Sequence, residues 1–258
     1  MKNYFNFKNS NILILGASSG FGKLYSETFY DLGANVISVA RNFSKLKMLK
    51  TNCEKKSRNG NIDIYKCDVN SNKSVDQLIQ KIKKKNKNLN VVVYCCGCNV
   101  RQLFLNIKSK DFENVMQTNY FSAFRILKKL YPMLKKSKYA RVINLTSIFS
   151  TKTMPKRTSY SASKAALLML TKSLALEWCG KNFTVNSISP GPFLTEINLP
   201  VLKNKKEYKK MCQKIPLGRF GNVEEIITAM LFLASPHSSY VNGTEIIIDG
   251  GWNILWRQ

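Results

Sequence analysis

Tyr160 and Lys164 stand four residues apart at the start of a helical pattern, in Tyr160-Ser161-Ala162-Ser163-Lys164. Residues at that spacing share one helix face, so the ammonium can lie beside the phenol. A cation there stabilises phenolate and lowers a pKa that is ordinarily ~10, making Tyr160 usable as an acid or base near neutrality. Ser147, at the end of an apolar run, adds a hydroxyl that can polarise a substrate oxygen. These three groups suit the movement of a proton to or from an alcohol or carbonyl oxygen. A tyrosine–lysine pair alone recurs on many helix surfaces, so its weight rests on what surrounds it.

A second group of residues suits phosphate. An apolar strand pattern runs straight into Gly16-Ala17-Ser18-Ser19-Gly20-Phe21-Gly22 and then into a helix. Gly16 permits a tight turn, Gly20 a close approach of backbone to phosphate, and Gly22 close packing of helix on strand. The amino end of that helix, with Ser18, Ser19 and Phe21 in its turn, offers free N–H groups and a positive dipole end to a pyrophosphate. The strand before and the helix after are the context that makes a glycine-rich turn a dinucleotide site. The next strand ends Val39-Ala40-Arg41, where NAD-binding folds place a carboxylate for the ribose 2′-OH. Arg41 suits the 2′-phosphate of NADP instead. NADP(H) is therefore favoured, with NAD(H) the alternative.

The elements that must hold these groups read as alternating strands and helices. Strands are predicted at 11–15, 36–40, 62–66, 91–94, 141–146, 184–188 and 245–248. Helices are predicted at 20–32, 44–56, 71–87, 110–135, 159–178 and 223–234, with Pro132 expected to kink the fourth. Val91-Val92-Val93-Tyr94 is wholly apolar, the pattern of a strand buried on both faces. The expected fold is α/β: a single Rossmann-like, doubly wound domain across 1–258, with a seven-stranded, mainly parallel sheet and helices on both faces. The stretch from Pro190 to Pro216, with Pro192 and Pro200 inside it, is too long for an ordinary connection and reads as irregular. A substrate lid is expected at about 192–216.

Composition bounds the rest. With 44% hydrophobic and 11% aromatic residues the chain reads as globular. No apolar run approaches the ~18 residues of a spanning helix, and the apolar stretch at 12–15 is too short for a signal h-region. Seven cysteines without framework spacing point to a reducing compartment, so a cytoplasmic protein without membrane insertion is expected. Cys95, Cys96 and Cys98 lack a second pair at zinc spacing, and the one histidine, His237, is remote. They read as soft packing at a strand end, and no metal is expected. The net charge of +26 attracts anions through its summed field. Its lysines are scattered, and the one basic block, at 81–87, lacks interleaved aromatics. That pattern fits an anionic small-molecule substrate and no specific nucleic-acid partner.

Over almost its whole length the chain resembles the short-chain dehydrogenase/reductase family. The matching pieces are Gly16 to Gly22, Cys67-Asp68-Val69, Asn119 in Gln117-Thr118-Asn119, Asn144-Leu145-Thr146-Ser147 and the Tyr160/Lys164 pair. Asn186-Ser187-Ile188-Ser189-Pro190-Gly191 and the ending Asp249-Gly250-Gly251-Trp252 complete the set. The resemblance implies that Tyr160 exchanges the proton at the carbonyl oxygen, Ser147 holds that oxygen, and Lys164 binds the nicotinamide ribose and tunes the tyrosine. It implies that Asn119 anchors a water in the proton relay. Asp68 and Val69 would border the adenine, with Gly97 at the cofactor. Pro190, Gly191, Phe193 and Thr195 would line the nicotinamide side. A homotetramer is implied as well. One departure stands out: Tyr94-Cys95-Cys96-Gly97 occupies the place of the family's usual Asn-Asn-Ala-Gly.

Within the family, the stretches Gly97-Cys98-Asn99-Val100-Arg101-Gln102 and Pro190-Gly191-Pro192-Phe193-Leu194-Thr195-Glu196 look most like gluconate 5-dehydrogenase and related sugar-acid or polyol dehydrogenases. Arg101 is then placed to bind a substrate carboxylate. A 3-oxoacyl-[acyl-carrier-protein] reductase is the alternative, since a basic surface suits an acidic carrier. A non-catalytic dinucleotide-binding or nucleic-acid-binding protein is a more distant one.

Overall fold

The computed structural model describes residues 4–56, 60–180 and 182–254. Seven strands form one sheet: β1 (Asn11–Leu15), β2 (Asn35–Ala40), β3 (Asn61–Lys66), β4 (Val91–Tyr94), β5 (Ala140–Leu145), β6 (Phe183–Pro190) and β7 (Glu245–Ile248). The order is β3-β2-β1-β4-β5-β6-β7, and every pairing is parallel. The expected sheet was mainly parallel; the observed one is wholly so. Around it lie α1 (Gly20–Asp31), α2 (Phe43–Glu54), α3 (Asn72–Lys85), α4 (Ser109–Met116), α5 (Ser122–Lys135), α6 (Thr158–Glu177), α7 (Leu199–Leu202), α8 (Lys205–Cys212) and α9 (Ile227–Ala234).

The strand period of two sorts β1 between two cores. Leu13 and Leu15 face one cluster with Val92, Val75, Leu78, Ile126 and Leu167, which brings α3, α5 and α6 onto that face. Ile12 and Ile14 face the other with Val91, Val93, Phe29, Leu46 and Met230, which brings α1, α2 and α9 onto the opposite face. Strands buried on both sides must be apolar throughout, which is why β4 carries no polar side chain other than the phenol of Tyr94. At the amino edge of the sheet the rule reverses. Asn11, Asn35 and Asn61 stand in register at the starts of β1, β2 and β3. Their amides form a chain in which Asn61 Nδ2 donates to Asn35 Oδ1 (2.9 Å), Asn35 Nδ2 to Asn11 Oδ1 (3.1 Å) and Asn11 Nδ2 to Asn88 Oδ1 (2.9 Å).

Three elements differ from the expected ones. The long helix at 110–135 is divided by a π-turn at Gln117–Phe121, and α5 runs through Pro132. The expected irregular stretch after Pro190 contains a 3-10 turn (Glu196–Asn198), α7 and α8. The helix at 223–234 begins as a 3-10 turn (Val223–Ile226) before α9. Elsewhere the boundaries shift by a residue or two, as helix and strand ends do.

Candidate active site

The strand order reverses between β1 and β4, which opens a crevice at the carboxyl ends of the strands. A cleft of about 380 Å³ lies there, in the size range of small-molecule sites rather than packing defects. It is lined by Gly16, Ser18, Ser19, Gly20, Phe21, Gly22, Arg41, Asp68, Val69, Gly97, Arg101, Ser147, Tyr160, Lys164, Pro190, Gly191, Phe193 and Thr195. Every site residue singled out from the sequence is therefore brought to one cavity except Asn119, which lies fully buried behind the wall.

The glycine turn is built for a close-fitting anion. Gly16 takes φ +92°, and a side chain on it would press against the backbone of Cys95 at 3.0 Å. A side chain on Gly22 would meet the carbonyl oxygen of Gly16 at 2.3 Å, so helix and strand can approach only with glycine there. Ser19 precedes α1 without a side-chain capping bond, and the first turn carries no acid. The amino-terminal N–H groups and dipole of α1 thus remain available to a phosphate at the cleft. Arg41, directly after β2, and Asp68 with Val69, after β3, close the same end of the cleft. These residues fit a dinucleotide.

At the other end stand the acid–base groups. β5 ends at Leu145, and Ser147 follows as the cap of a short 3-10 turn, its Oγ accepting from the N–H of Phe149 at 3.2 Å. Tyr160 and Lys164 lie on the first turns of α6. The hydroxyl of Ser147, beside that of Tyr160, favours the tyrosinate. Burial outweighs this, and the Tyr160 pKa is raised above its usual value; Arg157 and Arg101 pull it down, while Cys98 adds to the rise. The sequence led us to expect a Tyr160 pKa lowered by Lys164. Lys164 is itself only 4% exposed, and burial brings its own pKa down to about 8. Its Nζ donates to the carbonyl of Leu145 at 2.7 Å and lies 5.7 Å from the Tyr160 ring centroid.

Asn119 sits in the π-turn between α4 and α5. Its Oδ1 accepts from the N–H of Cys98 (2.8 Å), and its Nδ2 donates to the carbonyl of Cys98 (3.0 Å) and to Ser163 Oγ (2.9 Å). The side chain thereby ties the segment after β4 to α6, one residue from Lys164. The π-turn arises because the N–H of Ser122 reaches the carbonyl of Gln117 and passes over that of Thr118. The Thr118 carbonyl is satisfied from outside the helix ladder, by the hydroxyl of Tyr94 (2.7 Å) and by Ser122 Oγ (2.7 Å). The Tyr94-Cys95-Cys96-Gly97 departure thus brings a bond of its own. Fully buried Tyr94 supports the turn that carries Asn119. Burial raises the Cys95 thiol and pushes that of Cys96 up to about 12, so both are neutral thiols packed at the strand end.

The segment beyond β6 covers the cleft mouth. Phe193 is buried edge-on against Phe21 at 5.1 Å, and Lys45 of α2 pairs with Glu196 at 3.2 Å across the cleft. Arg101 Nη2 donates to Asn198 Oδ1 at 3.4 Å. Val201, Ile215 and Phe220 form a small core beneath α7 and α8. Sequence reasoning missed several residues of this half, among them Phe149, Arg157, Asn198 and Trp252. Arg157 was findable, for it precedes Tyr160 by three residues and so stands one helical turn away.

A cleft with a glycine turn and helix amino terminus at one end and a serine, a tyrosine and a buried lysine at the other suits a dinucleotide-dependent oxidoreductase. A family model described as Enoyl-(Acyl carrier protein) reductase matches residues 16–253, and the chain belongs to the short-chain dehydrogenase/reductase family. The 3-oxoacyl-[acyl-carrier-protein] reductase FabG of Thermotoga maritima is 33% identical over 93% of this chain and 96% of its own length. A gluconate 5-dehydrogenase from Burkholderia cenocepacia, solved with NADP and tartrate, superposes with a TM-score of 0.91 at 25% identity, over 98% of this chain and 99% of that one. The Pseudomonas aeruginosa RhlG/NADP complex gives 0.91 at 28% identity, over 98% and 100%. No helix among the described residues is long and apolar enough to cross a membrane.

Proposed function

We propose that the protein interconverts a secondary alcohol and a ketone on a sugar acid or polyol, with NADP(H) as its cofactor. The observation that carries this reading is that Ser147, Tyr160 and Lys164 line the same wall of the dinucleotide cleft. When bound, the nicotinamide supplies or takes up the hydride at carbon. In the direction of reduction, Tyr160 gives its proton to the carbonyl oxygen and Ser147 Oγ donates a hydrogen bond to the same atom. Lys164 holds a positive charge beside the tyrosinate that remains, and Asn119 fixes the distance between the segment after β4 and α6. Arg41 takes the 2′-phosphate, Asp68 and Val69 border the adenine, and Pro190, Gly191, Phe193 and Thr195 flank the nicotinamide. The chain works as one domain, with the stretch at 192–216 as its lid.

Arg101 favours an acid substrate, and a relative of the same fold was solved with tartrate, a hydroxy acid. A second reading, 3-oxoacyl-[acyl-carrier-protein] reduction, draws on the identity with the Thermotoga enzyme and on a charge of +26 that complements an acidic carrier. Exposed Phe121, Phe124, Met169 and Leu176 on the π-turn, α5 and α6 favour assembly, consistent with a homotetramer. The test crosses NADPH and NADH with 5-ketogluconate, related keto sugar acids and an acetoacetyl thioester, followed by nicotinamide absorbance. Turnover of keto acids with NADPH supports the proposal. Turnover confined to the thioester replaces it with the second reading.

A further inference from the structure

Among the described residues two arginines are buried, and the fold treats them in opposite ways. Arg141, at 0% exposure, spends its guanidinium on the carbonyls of Ser235, Ala140, Asn182 and Pro236. Every nitrogen of that fork faces a protein oxygen, so its role is structural. Arg157 is 8% exposed and lines the substrate half of the cleft. Among the described residues, no hydrogen bond or ion pair is made by its guanidinium, which lies 5.6 Å over the ring of Phe149. The field of one carboxylate, Glu207 of α8, reaches it without forming an ion pair, while Arg101 on the same wall repels it. A buried, unpaired cation facing a second cation is costly. The other acid on this side, Glu196, is engaged with Lys45.

We propose that Arg157 and Arg101 together receive a doubly negative substrate, so that the preferred alcohol or ketone carries two carboxylates or one phosphate ester. This rests on the acid-substrate reading above and deepens it. The planar guanidinium fork matches carboxylate and phosphate oxygens two at a time, which a lysine in either place would not do. Arg157 stands about 5 Å along α6 from Tyr160. The anionic end therefore lies a few bonds from the carbon that exchanges hydride, and it orients that carbon toward the nicotinamide side.

The test measures binding, independently of turnover. Protein saturated with NADP⁺ is titrated calorimetrically with tartrate, with glycerol 3-phosphate and with glycerol. Both anions, or one of them, bind the wild type, and neutral glycerol does not. Tighter tartrate identifies the dicarboxylate, and tighter glycerol phosphate the phosphate ester. Arg157→Gln weakens the anion by about tenfold or more, the worth of a charge-assisted hydrogen bond, and leaves NADP⁺ affinity unchanged. Arg157→Lys keeps part of the affinity, and Arg101→Gln repeats the loss from the other side. Retained NADP⁺ binding shows that each variant is folded. Equal anion affinity in Arg157→Gln and wild type, or glycerol binding as tightly as the anions, overturns the proposal. Anion binding with this dependence but no turnover of any ketone overturns the proposed reaction instead.

Discussion

Lys164 should make the protein less stable than it would be without it. Its pKa falls from the usual 10.5 to about 8 because the folded chain buries it. At roughly 1.4 kcal/mol per pH unit, keeping it protonated in the fold costs about 3 kcal/mol. The unfolded chain binds the extra proton between pH 8 and 10.5, so stability rises with pH across that window, and the full penalty is present below it. Lys164→Met keeps the length of the side chain and removes the charge. It also leaves the Leu145 carbonyl without its 2.7 Å partner, a loss of about 1–2 kcal/mol. The expected net gain at pH 7 is about 1–2 kcal/mol, or roughly 3–6 °C in Tm for a chain of this size. At pH 10.5 the gain disappears and the unpaired carbonyl makes the variant slightly weaker. Urea unfolding of both proteins without cofactor, at neutral and alkaline pH, reads this directly, while turnover in the variant is lost. A midpoint for Lys164→Met at or below wild type at pH 7 would refute the reasoning.

Tyr160→Phe should lower kcat by about 10²–10⁴-fold, the range of a general acid–base, and leave NADPH affinity intact by fluorescence titration. Arg41→Asp should move the kcat/KM ratio of NADPH to NADH toward NADH; an unchanged ratio removes Arg41 from the phosphate. Tyr94→Phe takes one of two donors from the Thr118 carbonyl. It should reduce stability by about 1 kcal/mol and kcat more than the KM for cofactor, whereas an equal effect on both would make Tyr94 a packing residue only. In ketone reduction, kcat/KM should fall as pH rises through about 8, where Lys164 loses its charge in the free enzyme; a profile flat from pH 7 to 9 would remove the Lys164 charge from the reaction.

The strands were legible because burial on both faces leaves runs such as β4 no choice of residue type, and such runs stand out between helical periods. The cleft was legible for a related reason: a glycine turn, an arginine and a tyrosine–lysine pair each follow a strand end, and parallel strands bring their ends together. The π-turn was not. It consists of one N–H reaching a carbonyl one residue further back, a shift with no residue-type signal, while Pro132 drew attention to a place where α5 runs on. Pro200 misled similarly, since it lies in the first turn of α7, where a missing N–H costs nothing. Asn204, whose side chain accepts from the N–H of Glu207, marks the start of α8 in a spacing the sequence does show. The tuning of Tyr160 was misjudged because side-chain spacing reports proximity and not burial, and burial dominates both pKa values at this site.

The asparagine chain along the amino edge of the sheet acts as a datum line. A strand that is apolar on both faces gains little from one register over the next, because a slip by one residue exchanges one buried aliphatic for another. Asn11, Asn35 and Asn61 lift that degeneracy, since sliding β2 breaks its amide links to both neighbours and sliding β1 or β3 breaks the link to β2. The strands they begin are five or six residues long, so a level start enforces a level finish. At that finish stand Gly16, Arg41 and Asp68, and under the proposed assignment the relative height of these three decides whether pyrophosphate, ribose and adenine can be touched at once. The alignment of the cofactor cleft is thus set from the opposite edge of the sheet, by side chains that never approach the ligand.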